Sequence, residues 1–126
     1  MIVALVWLSG PVAPAAAQDA VLCESATRAA TDDNIIRGST FMIEALFGGA
    51  NSLSDRALHA TLLRDRANAY RRQRDWARAM ADFELAITLN PRDRINLVCR
   101  AEAHDQMGNP ARAAADRAAA ARLPRR

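Results

Sequence analysis

The sequence predicts an all-α fold: antiparallel helix pairs stacked as a short solenoid behind an N-terminal helical cap. Three observations carry that prediction. Alanine takes 29 of the 126 positions, so helices can pack closely. Trp, Tyr and Phe total six and Gly and Pro total ten, which argues against a β-sandwich and excludes collagen-like or low-complexity chains. Residues 60–93 and 94–126 align without a gap at a period of 34. The length allows one small domain. Every basic residue is Arg, and the net charge of +3 is too small to argue for an acidic partner on its own.

The N-terminal residues read as a targeting segment. Ile2–Leu8 is an uninterrupted apolar run, followed by Ser9-Gly10-Pro11 and then Ala15-Ala16-Ala17. That order describes a signal peptide over residues 1–17, cut after Ala17, although no basic residue precedes the run. The run is too short for a transmembrane helix, which needs about 20 residues. The expectation is therefore a periplasmic or secreted protein, with membrane contact only through an uncleaved segment. Leu22 stands directly before Cys23, where lipidation needs a small residue.

Residues 18–59 are expected to form the helical cap. Within it, Ile35, Ile36, Met42, Ile43, Leu46 and Phe47 are spaced as one face of a helix over 32–47, which Gly48-Gly49 closes. A short helix is expected around 24–30. A further helix starts near Ser54 and runs on into the first repeat.

The two repeat copies share Leu63/Leu97, Arg66/Arg100, Arg78/Arg112, Asp82/Asp116 and Leu89/Leu123, besides alanines such as Ala67/Ala101, Ala79/Ala113 and Ala86/Ala120. Small residues at 67, 79 and 86 let two helices approach, and Tyr70 and Phe83 fill the space between them. Asp75 is placed to cap the second helix and Pro91 to stop it. In the second copy Gly108 ends one helix, Asn109 caps the next, and Pro110 takes the first helical position. Arg117 replaces Phe83 there, which suits a terminal unit with a solvated end face. Arg66 and Asp82 are sixteen apart, as are Arg100 and Asp116, and each pair is expected to meet across its helix pair.

This period and the set Leu63, Ala67, Tyr70, Ala79, Phe83, Ala86 and Pro91 resemble the tetratricopeptide repeat, a helix–turn–helix unit. The resemblance divides residues 60–126 into two units, 60–93 and 94–126. The wider chain is similar to small exported proteobacterial proteins built on this repeat, through Asp33, Ile36, Thr40 and Met42-Ile43, then Arg66-Ala67-Asn68-Ala69-Tyr70 and Asp82-Phe83. It departs from them at Gly38-Ser39, where a second Cys often stands. The resemblance implies a non-enzymatic module that binds a protein or peptide in a concave groove lined by the first helix of each unit. The positions facing that groove are Thr61, Arg64, Asn68, Arg71 and Arg72, then Ile95, Val98, Glu102, Asp105 and Gln106. Of these Thr61, Arg64, Asn68, Arg71, Arg72, Val98, Glu102 and Asp105 are the candidate peptide-binding residues. Arg64 and Asn68 occupy positions that chaperone-binding members use to clamp a C-terminal carboxylate. Cys99 stands at the clamp's next Asn position, so the clamp is incomplete. A groove basic at one end and acidic at the other suits a mixed-charge or partly apolar peptide. The competing expectation is a self-associating assembly subunit, a homo-oligomer docked through its Ala-rich last helix.

No catalytic constellation, metal site or cofactor motif is expected. Asp32-Asp33 sit at a helix start, where carboxylates favour the helix dipole. His59 and His104 stand alone, and neither Cys has a second Cys or His at zinc-ligand spacing. The run Arg71-Arg72-Gln73-Arg74 lies at a helix end, where positive charge is locally favourable, and does not make a nucleic-acid site. Cys23 and Cys99 are expected to be free thiols. A cap packed on the far side of the first repeat would hold their Cα atoms beyond the roughly 7 Å that a disulfide tolerates. Cys99 should then be buried and Cys23 exposed.

Overall fold

The computed structural model describes residues 15–25, 30–49 and 54–125. Among these residues lie six helices and no strand: α1 (Ala15–Ser25), α2 (Asp32–Phe47), α3 (Arg56–Arg72), α4 (Trp76–Leu89), α5 (Arg94–Gln106) and α6 (Pro110–Ala121). The signal segment lies outside the described residues as far as position 14, and its last three residues open α1. Of the helix expected around 24–30, Glu24 and Ser25 close α1 and 26–29 lie outside the described residues. No described helix is long and apolar enough to cross a membrane.

From α2 onward each helix packs on the next in sequence, and α3 also touches α5, the arrangement of a short all-α solenoid. The alanines make this possible. Ala60, Ala67, Ala69, Ala79, Ala86, Ala101, Ala103 and Ala113 are fully buried, and Phe83 and Leu63 are the largest apolar side chains with no exposure. Phe83 packs in one cluster with Ala67, Ala79, Leu97, Val98 and Cys99, against which Tyr70 rests. Leu63, Ala60 and Ala86 form a second cluster with Ile43 of α2, so α2 covers the open end of the first unit. Phe47 stacks on His59 at 4.2 Å between centroids and ties α2 to the start of α3.

Local chemistry sets the helix ends. Asp55, Asp75 and Asp93 each accept a hydrogen bond from a backbone N–H in the first turn that follows, which satisfies one of the four unpaired donors there. Asn109 does not: its side chain makes no capping bond, and Pro110 at the first helical position opens α6 instead.

The two intra-unit turns are superimposable in their bonding. In the first, Arg74 N–H donates to Arg71 C=O at 3.0 Å and Asp75 N–H to Tyr70 C=O at 2.9 Å. In the second, Gly108 N–H donates to Asp105 C=O at 3.0 Å and Asn109 N–H to His104 C=O at 2.8 Å. Both are Schellman closures, which need a left-handed residue just past the helix. Gly108 supplies it at φ 77°, but the first unit uses Arg74 at φ 60°. A side chain in that region costs about 1–2 kcal/mol.

The two Arg–Asp pairs meet as the repeat predicts. Arg66 Nε and Nη2 donate to Asp82 Oδ2 and Oδ1 at 2.7 and 2.9 Å, and Arg100 engages Asp116 in the same way at 2.8 and 2.7 Å. The Asp82 hydrogen bond raises the Arg66 pKa above its usual value, as Asp116 does for Arg100. Arg66 also donates to Thr40 Oγ1 at 3.0 Å, so one guanidinium joins α2, α3 and α4.

Two outcomes follow for stability in urea. The Arg66 and Asp82 side chains are 19% and 10% exposed, between a surface bridge and a buried one. Asp82→Ala should therefore cost about 2–3 kcal/mol, above the 0–1 of exposed pairs and below the 3–5 of buried ones. Asp75→Ala, which removes a cap and an exposed pair with Arg78, should cost about 1 kcal/mol; equal stability of Asp82→Ala and wild type would remove the pair from the account. Arg74→Gly should raise stability by about 0.5–1 kcal/mol, because relief of the left-handed strain exceeds the added unfolded-state freedom. A loss of stability would show that the Arg74 side chain contributes more than its backbone costs.

Candidate functional site

α1 breaks the stacking order. It packs on α5, four helices along, and not beside α2. Its residues meet the first helices of both repeat units, the side on which the groove is expected. Cys23 bonds to Cys99 of α5, with Cα atoms 5.5 Å apart. The expected pair of free thiols is thus corrected, and so is the expected exposure of Cys23, which is 2%. The geometric limit was sound but the placement of the cap was not: α2 alone caps the first unit, and α1 crosses to the second. With a sequence separation of 76, the bond restricts the unfolded chain by roughly 4 kcal/mol on chain-entropy grounds.

Three ion pairs flank the disulfide. Arg94 of α5 donates to Asp19 Oδ1 at 2.6 Å, and Arg125 approaches the other Asp19 oxygen at 3.6 Å. Arg71 of α3 pairs with Glu24 and also donates to Asn68 Oδ1 at 3.2 Å. Arg71 is buried, which an unpaired guanidinium would not tolerate. α1 therefore bridges α3 and α5 through Glu24, Cys23 and Asp19.

The candidate peptide-binding residues fall into three groups. Asn68, Arg71 and Val98 are buried, Arg71 beneath α1 and Val98 in the main cluster. Arg64 and Arg72 are turned to neighbouring carboxylates: Arg64 donates to Asp93 at 2.9 Å and to Asn96 at 3.2 Å, and Arg72 to Asp32 at 2.6 Å. Glu102 and Asp105 both receive Arg117 of α6, at 2.9 and 2.6 Å. The Asp105 bond is the chief cause that raises the Arg117 pKa. Thr61 donates its hydroxyl to Ala57 C=O at 3.0 Å. Arg64 and Asn68, the half-clamp read from sequence, are engaged by different partners of the chain: Asp93 and Asn96 for the first, Arg71 for the second. Arg117 lies at the end of the solenoid as expected, but it is partnered and only partly solvated.

Sequence reasoning missed Asp19, Glu24 and Arg94. Their signal was weak: two acidic residues beside Cys23, within a segment whose apolar residues look like a continuation of a leader. His104 stands buried at the second copy's equivalent of Tyr70. Burial pushes its pKa down, Asp116 at 3.9 Å pulls the other way, and Nδ1 has no partner. That describes a neutral core side chain and not a ligand.

Space remains beside α1. A cleft of about 420 Å³ runs between Asp19, Arg94, Val98, Arg117 and Leu123. A second, of about 430 Å³, lies between Glu24, Arg71, Arg72, Trp76 and Gln106. A third, of about 290 Å³, is bordered by Gln18, Asp19 and Leu22 on one side and Arg92–Ile95 on the other.

Helix pairs with buried alanines at the crossing, a shared turn and a face formed by alternate helices define a helical-repeat scaffold. Residues 60–93, which are α3, α4 and their flanks, match the family model described as tetratricopeptide repeat. No curated protein and no solved structure matches the chain.

One measurement checks the covalent link. Protein purified without reductant and denatured should show no titratable thiol at monomer mass. Two titratable thiols would mean that α1 is not fixed to α5.

Proposed function

We propose that this protein is a non-enzymatic interaction module that binds a segment of another protein on the face formed by α3 and α5, outside the reducing cytosol. The observation that carries this reading is that the face already holds a helical segment, α1, by two arginines and a disulfide. The repeat at 60–93 supports it, because helical repeats present such faces to protein partners. The Cys23–Cys99 bond supports the location, since disulfides persist in oxidising compartments such as a periplasm. The apolar run at Ile2–Leu8 and the Ala15–Ala17 site support export by a signal peptide.

The competing reading, self-association through α6, draws on one observation: Ala111, Ala114, Ala115 and Ala118 are exposed on its outer side. A photo-crosslinking residue separates the two. Placed at Thr61 or Gln106 in living cells, it should trap a second protein, whereas the same residue at exposed Phe41 on α2 should not. Crosslinks from Ala118 to a second copy, with none from Thr61 or Gln106, would favour the assembly reading instead.

A further inference from the structure

α1 is held to the groove in an unusual manner. A helix docked by the hydrophobic effect buries its apolar residues and exposes its polar ones. α1 does the reverse: Val21 and Leu22 are 62% and 49% exposed, while Asp19 and Cys23 are 4% and 2% exposed. Cys23 is its one member of the main apolar cluster. Three clefts border it, so its fit along the groove is loose. What fixes it is a covalent bond and two carboxylates, Asp19 and Glu24, held by arginines.

Removing α1 would leave a defined surface. Arg71, beneath Glu24, would keep only the neutral Asn68 oxygen, and Arg94 would lose its carboxylate. Arg94 Nε is already buried with no partner. Cys99 and Val98 would lie between the two cations on α5. Arg64, Arg72 and Arg117 contribute no free positive charge, because other carboxylates of the chain neutralise them. The vacated face is thus two arginines without a carboxylate and a small apolar seat between them, with the half-exposed Arg125 freed at the rim.

We propose that α1 is a displaceable ligand in cis, and that the partner of this face is an acidic helical segment of another protein, with carboxylates spaced like Asp19 and Glu24 about a small residue. This rests on the groove reading above and names its partner class. With the disulfide closed, α1 occupies the face. A dithiol reductant opens it by thiol–disulfide exchange: its two thiols become a disulfide as Cys23 and Cys99 become two thiols, so electrons and protons balance. α1 then retains the arginine contacts of its two carboxylates and little apolar contact, and an acidic helix at higher effective concentration replaces it.

Amide exchange and peptide binding test this on the whole chain, oxidised and after treatment with excess dithiol. The probe is a fluorescent peptide of residues 15–25 carrying Cys23→Ser. Reduction should bring α1 to the exchange rate of unstructured chain while α3–α6 change by less than about twofold. The probe should bind the reduced chain at least tenfold more tightly than the oxidised chain. Adding Asp19→Asn and Glu24→Gln to the probe should cost at least tenfold. A full-length Cys23→Ser variant should behave as the reduced chain without any reductant.

Several results would overturn the inference. α1 staying protected after reduction would show that the disulfide does not hold it. Loss of α3–α6 protection together with α1 would make the bond a structural staple. Equal probe binding in both states, or binding indifferent to the two carboxylates, would remove the acidic-helix partner. A doubled mass on reduction would mean that α1 swaps into a second copy. In-cell crosslinks at Thr61 or Gln106 that form equally with the disulfide closed would leave the groove reading intact and sink only this inference. The probe results holding while no protein is crosslinked in either state would sink the groove reading and the proposed partner with it, leaving α1 only as a displaceable segment.

Discussion

Arginine–carboxylate pairing sets the register of the helices, because an alanine core cannot do so alone. Alanine at a helix crossing permits close approach but offers no side-chain shape that would stop a neighbour from sliding. The fixed geometry comes from bidentate or shared guanidinium contacts. Arg66 joins α3 to α4 and α2, Arg100 joins α5 to α6, and Arg64 joins α3 to the start of α5 through Asp93 and Asn96. Arg72 ties the end of α3 to the start of α2 through Asp32. The absence of Lys from the sequence fits this use, since an ammonium cannot make the planar two-point contact.

How much of this was legible follows from how local each signal is. The period of 34 and the crossing alanines predict α3 to α6, and α2 follows from its own apolar spacing. The Arg–Asp pairs were legible because the repeat writes them twice at the same separation. α1 was not legible. Its apolar residues, Val21 and Leu22, are adjacent and mark no buried stripe, and the face it does bury is made of Asp19 and Cys23. A helix that docks through polar atoms leaves no hydrophobic periodicity to read. The disulfide depended on that missed placement, because two cysteines 76 apart in sequence meet only if the chain doubles back across both units.

The same missed helix explains why the candidate binding residues were only partly assembled. Arg71 and Asn68 were chosen as groove positions, and the face they belong to is the one α1 contacts, but they serve an internal ligand there. Val98 belongs to the apolar cluster beneath it. Sequence alone treats a charged residue on the first helix of a repeat as solvated until something covers it. Here the cover comes from the chain's own N-terminal segment, and that segment supplies the carboxylate without which a buried Arg71 would be untenable.

Arg117 then decides the electrostatic character of the groove. At the position where the first unit has Phe83, a further unit would normally be buried. Arg117 folds back instead onto Glu102 and Asp105. That contact closes the end of the solenoid and also neutralises the acidic end of the groove. A sequence that reads as basic at one end and acidic at the other therefore folds into a surface on which setting α1 aside would leave Arg71 and Arg94 without a carboxylate, with Arg125 freed at the rim. One side chain thus acts on both counts: Arg117 packs α6 onto α5 and neutralises the two carboxylates that would have made that end of the face acidic.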